Sequence, residues 1–335
     1  MKIVVFAEDK NFLIHFFREI AEDEISKKIS DIEILSTFEL ENKNISYGDD
    51  TLKISNINSY KDFKNTDFAI FCVRRELTEK YVYDFIENGC IVLDGSDYFM
   101  NDSNIPIIDY NVNKKNIKNV ENKNIMKLPS KNTLQLTEVI GILNKISSIN
   151  RVVVNTYQST STVGKNAMDE LFLHTKKIYE NSFLTPVNFK KQIPFNILPQ
   201  VGDASLNNYY EDEVRLIKET KQIINKKINV TATCVLVPVF SGDCQSLSVE
   251  FSDNFNLDDI YDIFEKNEDI ITVRDRFEDF NYATPKEIAM ENTIFISRIR
   301  RDFDLKNVLN LWTVADNSVV YSKNIINIIR FLLEK

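Results

Sequence analysis

Glycine is the residue this chain most lacks. It has 7 among 335 residues, and the first is Gly48, against an average usage near 7%. A glycine-built turn is therefore absent from the whole N-terminal stretch. The four cysteines, Cys72, Cys90, Cys234 and Cys244, form no CxxC pair, which argues against a zinc site or a disulfide framework, and no metal is expected. Positive charge is also short, with a formal net charge of −9. Nucleic-acid binding leans on clustered Lys and Arg, so that class of partner is excluded. No apolar run reaches the roughly 18 residues of a membrane span. The opening Met1–Phe6 is followed at once by Ala7-Glu8-Asp9-Lys10, too short and too soon charged for a signal peptide. A reducing cytoplasm is the expected location.

What is present is ample material for a core. Apolar residues make up 43% of the chain and Phe numbers 23, and the length suits two domains. Ile3–Phe6 predicts a buried strand. Phe12, Leu13, Phe16, Phe17 and Ile20 follow at helical spacing. Further strands are expected at Ile32–Leu35, Phe68–Phe71, Ile91–Leu93 and Ile107–Ile108, with a helix over Leu77–Glu87. Alternation of this kind reads as βαβ units on a parallel sheet. The Asn- and Lys-rich Asn111–Lys127 reads as a connection. Beyond it come a helix (Leu134–Ile146), a strand (Arg151–Tyr157), a helix (Ala167–Tyr179), strand-like runs (Val230–Phe240, Leu247–Phe251) and a last amphipathic helix (Ser322–Leu333). The expected fold class is α/β. A Rossmann-like domain with a parallel sheet takes residues 1–127 and 318–335, and a central α+β domain takes 128–317.

The first strand–helix turn is where a dinucleotide-binding fold places its glycines, for a tight turn and for close approach to the pyrophosphate. Here it reads Ala7-Glu8-Asp9-Lys10-Asn11-Phe12-Leu13. It has no glycine, and two carboxylates sit where the phosphate's charge would lie. The turn predicts Rossmann-like architecture without a dinucleotide.

Several segments resemble the aspartate-semialdehyde dehydrogenase family. Val152–Ser161 with Gly164–Leu171 is similar to its STYQAVSGAGKxAMxEL stretch, and Phe195–Gln200 to FNxIPQ. Val230–Val235 with Val237–Phe240 resembles VxATCVRVPVF. Arg298–Asp302 and Leu309–Asn317 resemble GRIRRD and LNLWVVADN. The resemblance runs in order along the chain and is weaker in the N-terminal half. It implies an N-terminal domain that holds NADP, closed by the C-terminal helix, and a central domain that supplies the active site and the dimer contacts. It also implies a reaction in which a cysteine thiolate displaces phosphate from aspartyl phosphate and the thioester accepts hydride from NADPH. Such chemistry needs a low-pKa thiolate beside a histidine, and arginines for the substrate's anionic groups.

This sequence departs from the family at those positions. The stretch resembling PNCSTIQ is Pro129–Gln135, which places Lys131 at the nucleophile. The arginine and histidine of RVPVFxGH correspond to Leu236 and Asp243, with Gly242 kept between them. Met100 stands for a substrate-binding arginine. Arg74-Arg75 replace a pair of glycines, and Phe38 replaces the arginine that receives the NADP 2′-phosphate. At the cofactor loop the positions are now Ala7, Lys10 and Leu13. Gln158, Glu213 and Arg215 are kept, the last in place of a lysine. Loss of nucleophile, base, anion anchors and cofactor loop together predicts a pseudoenzyme with no cofactor and a structural or regulatory role. It would pair as a homodimer or with an active paralogue. The alternative is an active NADP-dependent enzyme of the lysine, threonine and methionine pathway. Altered chemistry on the same scaffold would call for a pocket lined by Lys131, Gln158, Glu213 and Arg215.

Three finer expectations concern single residues. A Lys131–Asp243 ion pair is expected to fill the former site. Cys244 is expected to be a buried structural thiol, and His15 and His174 surface or packing residues. Arg74-Arg75 are expected to be a solvated loop pair.

Overall fold

The apolar run at the N-terminus becomes β1 (Lys2–Ala7), whose last five residues are buried. A strand buried on both faces is the mark of a parallel sheet covered by helices. The computed structural model describes residues 1–37, 40–60, 62–120, 124–273 and 282–334. Residues 1–130 with 321–335 form one compact unit, and residues 131–320 form another.

The first unit continues through α1 (Lys10–Glu22), β2 (Asp31–Ser36), β3 (Asn44–Tyr47), β4 (Asp50–Asn56), β5 (Phe68–Cys72), α2 (Arg75–Glu87), β6 (Ile91–Asp94), α3 (Tyr110–Asn113) and β7 (Ile125–Lys127). Its sheet order is β3-β4-β2-β1-β5-β6-β7. Every pairing is parallel except the β3–β4 hairpin. The strand order reverses between β1 and β5, which makes their carboxyl ends the switch point of a doubly wound sheet. Asp9 caps α1 by accepting the Asn11 N–H at 2.9 Å, and the helix buries Phe12, Leu13, Phe16, Phe17 and Ile20 as its spacing predicts. Elsewhere in this unit's core Phe6 of β1 stacks on Phe71 of β5 with centroids 4.3 Å apart, and Phe85 of α2 meets Phe6 edge-on at 5.4 Å.

Two expectations fail here. Ile107–Ile108 is not a strand: Ile107 makes only an isolated bridge to Lys127. The last strand is β7, inside the segment read as a connection. Three residues are too few to show a period, and buried Lys127 disguises the strand as polar. Its ammonium donates to the carbonyls of Phe99 (3.3 Å) and Asp102 (2.8 Å).

The second unit comprises α4 (Lys131–Leu143), β8 (Ile149–Gln158), α5 (Lys165–Tyr179), α6 (Glu211–Ile223), β9 (Asn229–Leu236), β10 (Asp243–Phe251), α7 (Leu257–Glu265), β11 (Ile270–Thr272), β12 (Ile294–Arg301), β13 (Val308–Ala315) and the first turn of α8 (Asn317–Leu333). The mixed sheet runs β11-β12-β13-β10-β8-β9. β8 alternates, with Val152, Val154, Thr156 and Gln158 buried, as period-2 side chains on one covered face must. α4 is buried almost all round, polar residues included. A helix of that kind belongs to an interior, and its polar side chains need partners there. Among the described residues no helix is long and apolar enough to cross a membrane.

Phe85 is fully buried and touches the rings of Phe6, Tyr60, Phe63 and Phe71. Phe85→Ala is expected to cost about 3–5 kcal/mol in urea unfolding. A loss below about 1 kcal/mol would contradict this packing.

Candidate functional site

The chain turns from β9 into β10 through Gly242, whose φ of +87° suits glycine and whose Cβ would stand 2.9 Å from Pro285 Cβ. That backbone demand accounts for the glycine kept beside Asp243. Asp243 itself is 2% exposed. Its Oδ1 accepts the Ser159 N–H and the Ser159 hydroxyl, each at 2.7 Å, and its Oδ2 accepts from Thr162 Oγ1 and Asn317 Nδ2, each at 3.0 Å. Burial pushes its carboxyl above the ordinary carboxylate range, and these hydrogen bonds pull the other way.

The expected ion pair with Lys131 is not formed among the described residues. A carboxylate offers about four acceptor sites, and here serine, threonine and asparagine donors fill them. Lys131, the first residue of α4, donates instead to Ser318 Oγ at 3.0 Å. Asn317 also reaches Asn132 Oδ1 at 3.3 Å, while Gln135 donates to Thr313 Oγ1 at 2.9 Å and Gln245 to the Asn132 carbonyl at 2.8 Å.

Gln158 is fully buried and its amide donates to Thr156 Oγ1 and Asp212 Oδ2, each at 3.2 Å. Burial pushes the Asp212 carboxyl up, opposed by Arg215 and by the Gln158 hydrogen bond. Glu213 faces elsewhere: one oxygen accepts the Tyr210 N–H (2.9 Å) at the start of α6, the other the Cys234 N–H (3.1 Å). Both of its oxygens serve backbone. Asp212, which sequence reasoning passed over, is thus the acid that meets Gln158. Adjacent helix positions differ by 100°, so only one of two neighbouring acids can face a given partner, and the sequence does not say which.

Arg215 donates to Glu219 at 2.8 Å along the same helix. Leu236 is buried, and its backbone exchanges both hydrogen bonds with Leu198. Cys234 and Cys244 are buried, and burial pushes both thiols up to about 12. His174 is buried on α5. A cavity of about 500 Å³ in this unit has Phe189, Pro199, Gln200, Tyr210 and Leu236 among its walls, and none of Lys131, Gln158, Glu213 or Arg215.

In the first unit, Ala7 ends β1, Lys10 opens α1 and Leu13 lies in the core. Glu8 donates its N–H to the Cys72 carbonyl at 3.4 Å. Its Oε2 accepts the Arg74 N–H at 2.9 Å, and its Oε1 lies 3.0 Å from the Arg74 guanidinium. The arginine pair is therefore not simply solvated. Arg74, 62% exposed, is paired with Glu8, and Arg75 opens α2 with its guanidinium 5.8 Å over the Tyr98 ring. Met100 sits in the turn after β6, its N–H on the Asp97 carbonyl, and His15 is half-buried on α1. Phe38 lies outside the described residues. With Asp9 on the Asn11 amide of α1 and Glu8 at the start of α2, a pyrophosphate here would meet two carboxylates and no glycine. These residues do not fit a dinucleotide.

Because burial raises the Asp243 carboxyl, the folded chain holds a proton there more readily than the unfolded chain does. That contribution is complete below the unfolded value near about pH 4 and is lost as pH rises through the folded value. Urea unfolding should show wild type more stable than Asp243→Ala, which leaves the Ser159 and Asn317 donors without an acceptor at about 1–3 kcal/mol each. The gap should narrow from about pH 4 to neutrality. A gap that widens would mean the four donors outweigh burial.

Comparison with known proteins places this chain in a family. Residues 139–320 match the profile "Semialdehyde dehydrogenase, dimerisation domain" and residues 35–120 the profile "Semialdehyde dehydrogenase, NAD binding domain". The second match begins beyond the Ala7–Leu13 turn. The aspartate-semialdehyde dehydrogenase of Rickettsia bellii is 34% identical over 275 residues, 82% of this chain and 81% of that protein. Aspartate-semialdehyde dehydrogenase 2 of Vibrio cholerae is 29% identical over 86% of this chain and 85% of its own. The crystal structure of aspartate semialdehyde dehydrogenase II from Vibrio cholerae complexed with ASA superposes with a TM-score of 0.91 at 26% identity, covering 100% of this chain and 98% of that one. An aspartate semialdehyde dehydrogenase with NADP from Candida albicans shares the fold at a TM-score of 0.71 and 16% identity, over 98% of each chain. Two profile matches in order, and a relative above 30% identity along four-fifths of the chain, make this protein a member of the aspartate-semialdehyde dehydrogenase family.

Proposed function

We propose that this chain is a catalytically inactive member of its family with a structural or regulatory role in the cytoplasm. One observation carries the reading: Lys131 stands where the family resemblance places the thiolate, with its ammonium on Ser318 Oγ. The family's covalent route needs a thiolate that displaces phosphate and then holds the acyl group as a thioester. An ammonium hydrogen-bonded to a hydroxyl supplies no such leaving sulfur. Cys234 and Cys244 do not replace it, since both are buried and both thiols are pushed up to about 12. A raised thiol pKa keeps sulfur protonated and poorly nucleophilic at neutral pH.

The other departures point the same way. Asp243 stands where the histidine would be, and its carboxylate is committed to Ser159, Thr162 and Asn317. Leu236 offers no charge to a substrate anion. The β1–α1 turn offers a dinucleotide two carboxylates and no glycine, which speaks against a hydride step in this chain. Losses of this kind act together, and removal of the nucleophile alone typically costs orders of magnitude in rate.

Pairing is the activity left to the scaffold. The second unit matches a dimerisation profile and carries exposed aromatic side chains, among them Phe172, Tyr179, Phe183 (71% exposed) and Phe195. Exposed apolar surface of that kind is characteristic of interfaces. The partner is a second copy or an active paralogue. The relatives' activity favours a second reading, an active NADP-dependent aspartate-semialdehyde dehydrogenase of the aspartate-family amino-acid pathway. That reading is motivated by 34% identity over 82% of the chain.

Purified protein given L-aspartyl phosphate and NADPH is expected to show no NADPH oxidation above the uncatalysed rate. Turnover that is lost on Lys131→Ala or Gln158→Ala would overturn the inactive reading.

A further inference from the structure

In a doubly wound sheet the ligand crevice lies outside the carboxyl ends of the strands at the switch point. In this chain those ends are Ala7 of β1 and Cys72 of β5, paired in register. The chain spans that point itself. The Glu8 N–H reaches the Cys72 carbonyl at 3.4 Å, and the Glu8 carboxylate takes the Arg74 N–H at 2.9 Å and lies 3.0 Å from the Arg74 guanidinium. A backbone N–H at a helix start beside a guanidinium is an anion-binding pair of donors, and Glu8 occupies both. Two neighbours complete the filling. Asp9 takes the Asn11 N–H of α1 at 2.9 Å. Tyr321 of α8 packs edge-on against Phe12, with centroids 5.9 Å apart, and brings its hydroxyl to 4.0 Å from Cys72 Sγ. The same hydroxyl covers Gly95 at the end of β6, where a Cβ would collide with it.

We infer that Glu8 is a built-in stand-in for a bound anion, closing the crevice of the first unit from within and tying the β1–α1 turn to the β5–α2 turn. The unit then needs no ligand to complete it. The inference rests on the reading that this unit holds no dinucleotide.

Removal of the stand-in should open a vacancy that a free anion can fill. The test compares thermal unfolding of wild type, Glu8→Ala and Glu8→Ala/Arg74→Ala, with and without millimolar pyrophosphate at constant ionic strength. Glu8→Ser, which vacates similar volume but stays polar, is carried alongside in case Glu8→Ala does not fold. The Glu8 single variants should melt below wild type, and pyrophosphate should raise their Tm by about 3 °C. Wild type and the double variant should not respond. A wild type raised as much as Glu8→Ala, or single variants that respond no more than the double variant, would overturn the inference. The two failures are distinguishable. NADPH-dependent turnover by wild type would mean that the unit holds a dinucleotide and would remove both readings. Single variants that ignore pyrophosphate would remove the stand-in and leave Lys131 at the nucleophile's position.

Discussion

The second unit is organised around one buried carboxylate. Asp243 opens β10, and its two oxygens gather a backbone N–H, two hydroxyls and a side-chain amide from the turn after β8 and the first turn of α8. A buried charge without such partners would cost several kcal/mol, whereas a fully bonded one fixes the elements that supply its donors. Through Asn317 and Asn132 the network extends to α4, whose Gln135 in turn reaches Thr313 of β13. Among the described residues each Asp243 oxygen accepts two hydrogen bonds from the chain itself.

The first unit follows the same logic with different residues. A Rossmann-type sheet leaves a crevice at its switch point, and the donors around that crevice want an anion. Glu8 and Asp9 supply carboxylates to the starts of α2 and α1 from the chain itself. In both units, positions that the family resemblance links to ligands are occupied by intramolecular contacts: Asp243 on its four donors, Glu8 on Arg74, Lys131 on Ser318.

Much of this was legible in the sequence, for reasons that differ by residue. β1 and α1 were readable because a short apolar run and the Phe12–Ile20 stripe each have one geometric meaning. The glycine-free turn and its two carboxylates were legible as such, since charge sign and backbone freedom are properties of residue type. Three-dimensional pairing was not readable. Lys131 and Asp243 looked like complementary charges, but the sequence does not reveal that Ser159, Thr162 and Asn317 would saturate the carboxylate first. That Asp212 and not Glu213 meets Gln158 was not readable either, because helix phase at a terminus is set by the cap, here the Tyr210 N–H on Glu213. β7 was missed because three residues carry no period and Lys127 hides its burial behind carbonyl partners.

The central claim is that both former ligand positions are filled by the chain itself, and cofactor affinity tests it most directly. Isothermal titration of the purified protein with NADPH, with the Vibrio cholerae aspartate-semialdehyde dehydrogenase II as a reference, measures it. The account predicts no saturable binding heat at millimolar NADPH. Saturable binding in the micromolar range would mean that the Ala7–Leu13 turn receives phosphate despite Glu8 and Asp9, and would contradict the account.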